Sequence, residues 1–420
     1  MLDRPESGER VLLVHCLFGS KREAQEEDLD EFRALAVSAG AQVVDVVIAK
    51  RDLPDPKFYI GSGKAEEIAE IVAAQEIQTV LVNHALTPTQ ERNLETILKA
   101  RVCDRTGLIL DIFASRARTF EGQLQVELAQ LSHTATRLVR GWTHLERQAG
   151  GIGSRGPGET QLETDRRLLR VRVKMLKDKL NKVLEQRALS RKSRQKQGLF
   201  TVAVVGYTNA GKSTLFNYLT KEDVYAADQL FATLDPTSRQ IELKGIGPIV
   251  LIDTVGFIRH LPHSLIEAFR ATLEETQQAD LLLHIVDVSD PEWASKVKQV
   301  NEVLEEIEAH EVPTLMLLNK VDRLEVVPED TTDETGRVTQ LAISAVTGQG
   351  LSELGNAIAS HIQGEMCRET ITLPPDASRL RGKLYDCGAV THETTLDDGS
   401  MVLTLCVRKT ILDQVMGSKS

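Results

Sequence analysis

The sequence predicts an α/β protein in four regions: a parallel α/β domain over residues 1–115, an antiparallel helical hairpin over 116–197, a P-loop α/β domain over 198–364 and a small α+β domain over 365–420. Three observations predict it. Apolar, strand-like runs alternate with helix-like runs in two separate stretches, the pattern of parallel sheets covered by helices. Between those stretches lie two apolar seams of helical spacing, parted by a glycine-rich break. One apolar strand also runs straight into a Gly-x-x-x-x-Gly-Lys-Ser turn that opens a helix. Length agrees, since 420 residues suffice for roughly two to four domains.

In the first region Val11–Phe18, Val43–Ile48 and Thr79–Val82 read as buried strands, with helices over Glu27–Ala39, Lys64–Ala74 and Pro88–Lys99. Gly61-Ser-Gly-Lys64 lacks the full phosphate-loop spacing and its hydroxyl, so it is expected to be a plain strand–helix turn rather than a second anion site. Asp111, Arg116, Arg118, Glu121 and Gln125 are expected on a solvated or interdomain polar face.

The hairpin follows from two seams. Leu124, Leu128, Leu131, Ala135 and Leu138 repeat at intervals of four and three, and so do Leu169, Val173, Leu176, Leu180 and Val183. Residues 149–158 (AGGIGSRGPG) hold five glycines and a proline and cannot continue a helix. Thr160-x-x-Glu163 reads as a capping box opening the second helix. Trp142, one turn past Leu138, reads as hairpin core. In the last region Thr372–Leu373, Ala389–Thr394 and Met401–Val407 read as strands, with Asp397–Ser400 as a hairpin turn.

Composition narrows the function. Apolar residues make up 41% and charged residues 26%, which excludes a disordered or collagen-like chain. No apolar run reaches the length of a membrane span, and the first ten residues lack a signal-peptide core. Five scattered cysteines without a CxxC pair suit a reducing cytosol. Net charge is −11, but residues 166–196 carry thirteen Lys or Arg against two acids. That segment is therefore +11 and the rest of the chain −22, which points to a local polyanion contact. A solvated helix gains from mixed-sign neighbours one turn apart, and here they are nearly absent. The segment holds no aromatic residue, so backbone and shape readout of folded RNA fits better than base stacking. Arg166, Arg167, Arg170, Arg172, Lys174 and Lys177, with Arg147 and Arg155 near the glycine-rich tip, are the candidate RNA contacts.

The nucleotide signal is the strongest. Thr201–Val205 is an apolar strand, followed by Gly206, Tyr207, Thr208, Asn209, Ala210, Gly211, Lys212 and Ser213. The two glycines let the backbone fold around phosphate oxygens, and the helix N-terminus adds positive potential. Lys212 is expected to reach the β- and γ-phosphates, and the Ser213 hydroxyl to bind Mg²⁺. Ile249–Ile252 ends in Asp253-Thr254-Val255-Gly256, where the acid can hold the metal through water and Gly256 can offer its N–H to the γ-phosphate. Thr314–Leu318 ends in Asn319-Lys320-Val-Asp322; a carboxylate at Asp322 accepts from both guanine N1 and its exocyclic amine, which adenine cannot match. Ser344 and Ala345 can donate a backbone N–H to guanine O6. Each motif sits at the carboxyl end of a strand, where open α/β sheets bind ligands. Together they are the signature of a translation-factor-class GTPase. Phe231-Ala232-Thr233-Leu234-Asp235 and Thr237 supply the threonine that closes over the γ-phosphate, and spacing alone leaves Thr233 and Thr237 both open. Phe257 stands where many such enzymes carry the water-orienting Gln, so the free protein is expected to be slow. His260 and His263 rank low as bases.

These motifs, with Arg105–Phe113, Gln125–Gln130 and Gly156–Glu163, resemble the HflX-type GTPases over roughly residues 60–365. The resemblance implies a Ras-like GTPase domain with Mg²⁺, and Thr233 as the metal-binding threonine beside Ser213 and Asp253. It implies Lys212, Thr233 and Gly256 as the residues that act on the γ-phosphate. It also implies a cytoplasmic, monomeric protein without a membrane span, peripheral attachment to membranes being left open. Its GTP form would bind the large ribosomal subunit and dissociate stalled or idle ribosomes. The alternatives are a GTP-dependent regulator of a non-ribosomal protein acting through the N-terminal domain, and a P-loop kinase or ATPase.

Overall fold

The computed structural model describes residues 8–19, 23–141, 157–196, 199–221, 230–231, 233–234, 237–243, 247–259, 270–363, 366–386, 389–396, 398–408, 412 and 415–416. The chain forms two compact units. The first comprises Met1–Asn181 with Ala227–Asp235 and Arg259–Phe269; the second comprises Lys182–Ala226, Pro236–Ile258 and Arg270–Ser420.

The first unit is built on a parallel sheet of β1 (Arg10–Phe18), β2 (Gln42–Arg51), β3 (Thr79–Val82) and β4 (Arg101–Asp104), in the order β2-β1-β3-β4. β1 is central and apolar along its length, so Val11–Val14 lose all contact with solvent. Helices α1 (Glu23–Ser38), α2 (Ser62–Gln75), α3 (Pro88–Leu98) and α4 (Arg105–Arg116) pack against the sheet. Two have clear start signals. Thr87 and Gln90 form a capping box ahead of Pro88, and the Asp104 carboxylate accepts from Gly107 N at 2.8 Å. Gly61 is the N-cap of α2, with φ +87, but the expected strand before it is absent: residues 58–60 form a turn closed by the Asp55–Tyr59 bridge.

The hairpin helices are α5 (Phe120–Gly141) and α6 (Pro157–Lys196). Leu124, Leu128 and Leu176 are buried between them, flanked by Leu131, Val173 and Leu180, so both expected seams meet. α6 begins at Pro157, earlier than the capping box suggested, because proline is tolerated in a first helical turn. The tip, including Trp142, Arg147 and Arg155, lies outside the described residues. Polar groups join α5 to the sheet layer: Arg137 reaches Glu91 at 2.8 Å and Asp104 at 3.0 Å. Asp111, Glu121 and Gln125 are buried rather than solvated, because α4 is enclosed along most of its length and α5 packs on it. Gln125 Nε2 donates to Glu121 there, at 3.3 Å.

Segments from much later in the sequence belong to this same unit. Phe231 is buried with its ring edge-on to Phe113 at 4.6 Å, and Leu230 N donates to Ser38 Oγ at 3.2 Å. Arg105 donates to the Arg259 carbonyl at 2.9 Å, and the Arg259 side chain pairs with Asp28 at 3.3 Å. Phe231 holds φ +56, a left-handed conformation that is costly for a bulky residue.

The second unit holds a seven-stranded sheet in the order β10-β11-β9-β8-β5-β7-β6. β5 (Phe200–Gly206), β7 (Gly247–Asp253), β8 (Leu281–Asp287), β9 (Thr314–Asn319) and β11 (Val338–Ala342) run parallel. The edges β6 (Thr237–Leu243) and β10 (Thr331–Thr332) are antiparallel, and neither was expected from the sequence. Helices α7 (Lys212–Thr220), α8 (Arg270–Gln277), α9 (Trp293–Glu306) and α10 (Leu351–Gln363) accompany this sheet. A second, antiparallel sheet of β12 (Met366–Leu373), β13 (Val390–Thr395) and β14 (Met401–Arg408) carries helix α11 (Ser378–Asp386). α11 was not expected, and β12 is much longer than the Thr372–Leu373 pair.

Candidate nucleotide site

Strands β5, β7 and β9 end together at one edge of the seven-stranded sheet, and the loops that leave them form the site. The loop after β5 is shaped by close approaches. A side chain on Gly206 would strike the Ile285 carbonyl at 2.3 Å, and one on Gly211 would strike Asn319 Nδ2 at 2.2 Å. Gly211 (φ +100) and Asn209 (φ +61) turn the backbone inward, and Ala210 is buried beneath it.

Lys212 is buried, and its Nζ donates to the Tyr207 carbonyl at 2.6 Å. Burial pushes its pKa down to about 8, against the opposing pull of the Asp253 carboxylate. Ser213 Oγ donates to Asp253 Oδ2 at 3.1 Å. A hydroxyl and a fully buried carboxylate therefore converge at one point, a hard-oxygen set of the kind Mg²⁺ takes. Thr254 Oγ1 donates to the Val204 carbonyl at 2.6 Å and fixes the end of β7 against β5.

Gly256 lies against the phosphate loop, where an added side chain would meet Thr208 Cγ2 at 2.7 Å and Lys212 Nζ at 2.9 Å. Phe257 is buried, and its backbone bonds the same loop in both directions: Thr208 N donates to its carbonyl at 2.8 Å and its own N–H donates to Gly206 at 3.2 Å. Val255 is buried beside it.

On the base side Asn319 braces two loops. Its Nδ2 donates to the Ala210 carbonyl at 2.7 Å, and its Oδ1 accepts from Ala345 N at 2.9 Å. Ser344 is fully buried, with Oγ accepting from Thr347 N at 3.1 Å. Asp322 is exposed, in the short helical turn that follows β9.

Several supporting residues were not found in the sequence. Asp287 at the end of β8 pairs with Lys320 at 2.7 Å, and Lys320 sits at φ +67. Lys296 of α9 pairs with Asp290 and stands 5.2 Å over the Tyr207 ring. His284, mid-strand in β8, is buried and held neutral, with its pKa lowered to about 4 by burial and by the Lys212 charge. A strand-terminal acid after Leu281–Val286 was the available signal for Asp287; nothing local pointed to Lys296.

The switch candidates divide. Thr237 opens β6, paired in register with Asp253. Thr233 is half-buried and Leu234 buried, in the first unit with Phe231. Ala232, Asp235, His260 and His263 lie outside the described residues. Of the proposed RNA contacts, Arg172 is tied to Glu127 at 2.6 Å and Arg166 is half-buried. Arg167, Arg170, Lys174 and Lys177 are exposed and, among the described residues, carry no ion pair.

Comparison with known proteins agrees along the whole chain. Residues 26–114 match a family described as GTP-binding GTPase N-terminal, 116–194 its middle region, 201–320 a 50S ribosome-binding GTPase, and 331–417 the HflX C-terminal domain. GTPase HflX of Escherichia coli is 55% identical over 98% of this chain and 96% of its own, and that of Magnetococcus marinus is 50% identical over 92% and 89%. A solved complex of SsGBP with GDP is 25% identical over 85% of this chain and 99% of that chain, with a TM-score of 0.47. Identity of this order across nearly the full length, with four family segments in sequence, places the chain in the HflX family of GTPases, enzymes that hydrolyse GTP.

Proposed function

We propose that the GTP form of this enzyme grips the large ribosomal subunit through the α5–α6 hairpin and promotes dissociation of stalled or idle ribosomes. Hydrolysis, stimulated by the ribosome, then releases it. One observation carries the reading: residues 201–320 match a family described as a 50S ribosome-binding GTPase, in a chain whose cations are concentrated on α6. Coupling requires that the ribosome bind the GTP form better than the GDP form.

Within the site Lys212 binds the β- and γ-phosphates, and the inward backbone of 206–211 wraps the remaining oxygens. The Gly256 N–H meets the γ-phosphate, while Asp322 and Ala345 read the base. Ser213 and Asp253 would hold Mg²⁺, which when bound neutralises charge on the phosphate oxygens. Phe257 offers no group to orient water, so a partner supplies it.

The test is sedimentation of the full chain with separated ribosomal subunits, in GDP or in a non-hydrolysable GTP analogue. Co-sedimentation with the large subunit is expected only with the analogue. Equal pelleting in both nucleotides, or none in either, would remove the reading.

A further inference from the structure

Helix α6 carries two parallel rows on the side turned away from α5. Its seam toward α5 is Val173, Leu176 and Leu180. On the other side run Leu168, Val171 and Met175, exposed by 58%, 60% and 39%. Arg167, Arg170, Lys174 and Lys177 run beside them with the same intervals, one residue earlier and so about 100° around the helix. At roughly 1.5 Å per residue the cationic row is about 15 Å long. On its far side the apolar row is bordered by Arg172, already committed to Glu127.

Neither row is explained by solvent. Four like charges in line repel; Glu163 and Asp178 stand four residues from Arg167 and Lys174, but Arg170 and Lys177 have no acid one turn away, so the row stays strongly cationic. Three exposed aliphatic side chains add nothing to a contact made only with phosphates. A second copy meeting this helix through the same face is disfavoured because it would bring the same charge. The occupant must offer a strip of negative charge beside a shallow, less polar strip. A-form RNA does, because its wide minor groove displays riboses and their 2′-hydroxyls next to a regular row of phosphates.

We propose that residues 167–177 of α6 lie along one strand of duplex RNA, with the four cations on phosphates and Leu168, Val171 and Met175 against ribose faces in the shallow groove. This rests on the ribosomal reading and specifies it: the gripped element is a double-stranded stem.

The experiment uses the full chain with the GTP analogue and an RNA duplex of about 16 base pairs. The matching DNA duplex, the single RNA strand and an acidic amphipathic peptide are the comparison ligands. One variant is Leu168→Ser/Val171→Ser/Met175→Ser, and the other is Arg167→Gln/Arg170→Gln/Lys174→Gln/Lys177→Gln. All seven positions are exposed, and circular dichroism checks the fold. The serine variant is expected to lose about tenfold in duplex-RNA affinity, and its preference for RNA over DNA, with an unchanged salt slope. The glutamine variant is expected to lower the slope of log affinity against log salt by roughly three to four, near 0.9 per phosphate contact. Wild-type affinity in the serine variant, equal binding of single strand and duplex, or loss confined to the peptide would each overturn the proposal. If subunit co-sedimentation persists while the serine variant is silent, only this inference falls; if co-sedimentation fails at the outset, the ribosomal reading falls with it.

Discussion

Gly61–Lys64 and Gly206–Ser213 are both glycine-rich turns that open a helix and contain Gly-Lys, one reached from β2 through the turns of residues 52–60 and the other directly from β5, and they hold their lysines in opposite ways. Lys64 lies near the surface and pairs with Glu67 on its own helix at 2.8 Å. Lys212 is buried, bonded to a backbone carbonyl and depressed in pKa. The space at Gly61 is filled by Arg51, whose guanidinium would collide with any added side chain at 2.1 Å, whereas Gly211 is backed by the carboxamide of Asn319. The difference is one of stored strain. A lysine kept dry before its ligand arrives meets a phosphate without further desolvation, and one already satisfied by a neighbouring carboxylate has no such incentive.

The largest effect expected from this contrast is on nucleotide affinity. Lys212→Ala should weaken GTP binding by roughly a few hundredfold or more, from two charge-assisted hydrogen bonds of about 1.5–3 kcal/mol each. Lys64→Ala should change it by less than about twofold, since an exposed pair contributes little. Fluorescent-nucleotide titration measures both, and a comparable loss in the two variants would break the contrast.

Base recognition comes next. Asp322→Asn should reduce the preference for GTP over ATP by roughly ten- to a hundredfold, the worth of one charged acceptor. Competition between the two nucleotides reads it directly.

The buried lysine also sets a pH signature. Below about pH 8 Lys212 is charged in both folded and unfolded chains, and the cost of its burial is fully present. Between about 8 and the unfolded value of 10.5 the folded chain has released the proton while the unfolded chain keeps it, so this group makes the ligand-free protein more stable as pH rises. GTP affinity should move the other way, falling by up to about tenfold per pH unit above 8, because binding must restore the proton. Calorimetry in buffers of different ionisation enthalpy would detect that uptake, and Lys212→Met should abolish it.

The smallest effect lies at the other turn. Gly61→Ala must adopt φ +87 and displace Arg51, costing about 1–2 kcal/mol of stability without altering GTP affinity. A thermal melt paired with a nucleotide titration separates the two readouts.

How much of this was legible depended on burial. β1 and β5 are continuous apolar runs and stood out at once, and the phosphate loop carried its own spacing. β6 was missed because it is a polar edge strand that leaves no residue fully buried. α11 was missed because only Leu384 is fully buried, with Leu380 beside it, and Gly382 interrupts the helical pattern between them. The pairing of Asp287 with Lys320 was hidden for another reason: Lys320 stood in a legible motif and Asp287 at a strand end, but no local pattern records a contact between residues brought together by strand pairing. For Asp111, Glu121 and Gln125 the sequence left a solvated and an interdomain face open, because a polar residue does not reveal whether a neighbouring helix will enclose it; burial decides against the solvated one.

The carboxamide of Asn319 spans from Ala210, in the loop proposed to wrap the phosphates, to Ala345, in the loop proposed to face the purine edge. Discrimination and tenacity are thereby fastened with the same rivet. A lineage drifting toward another nucleobase through this residue would loosen its hold on every triphosphate at once, so a change of diet has to begin elsewhere, at Asp322.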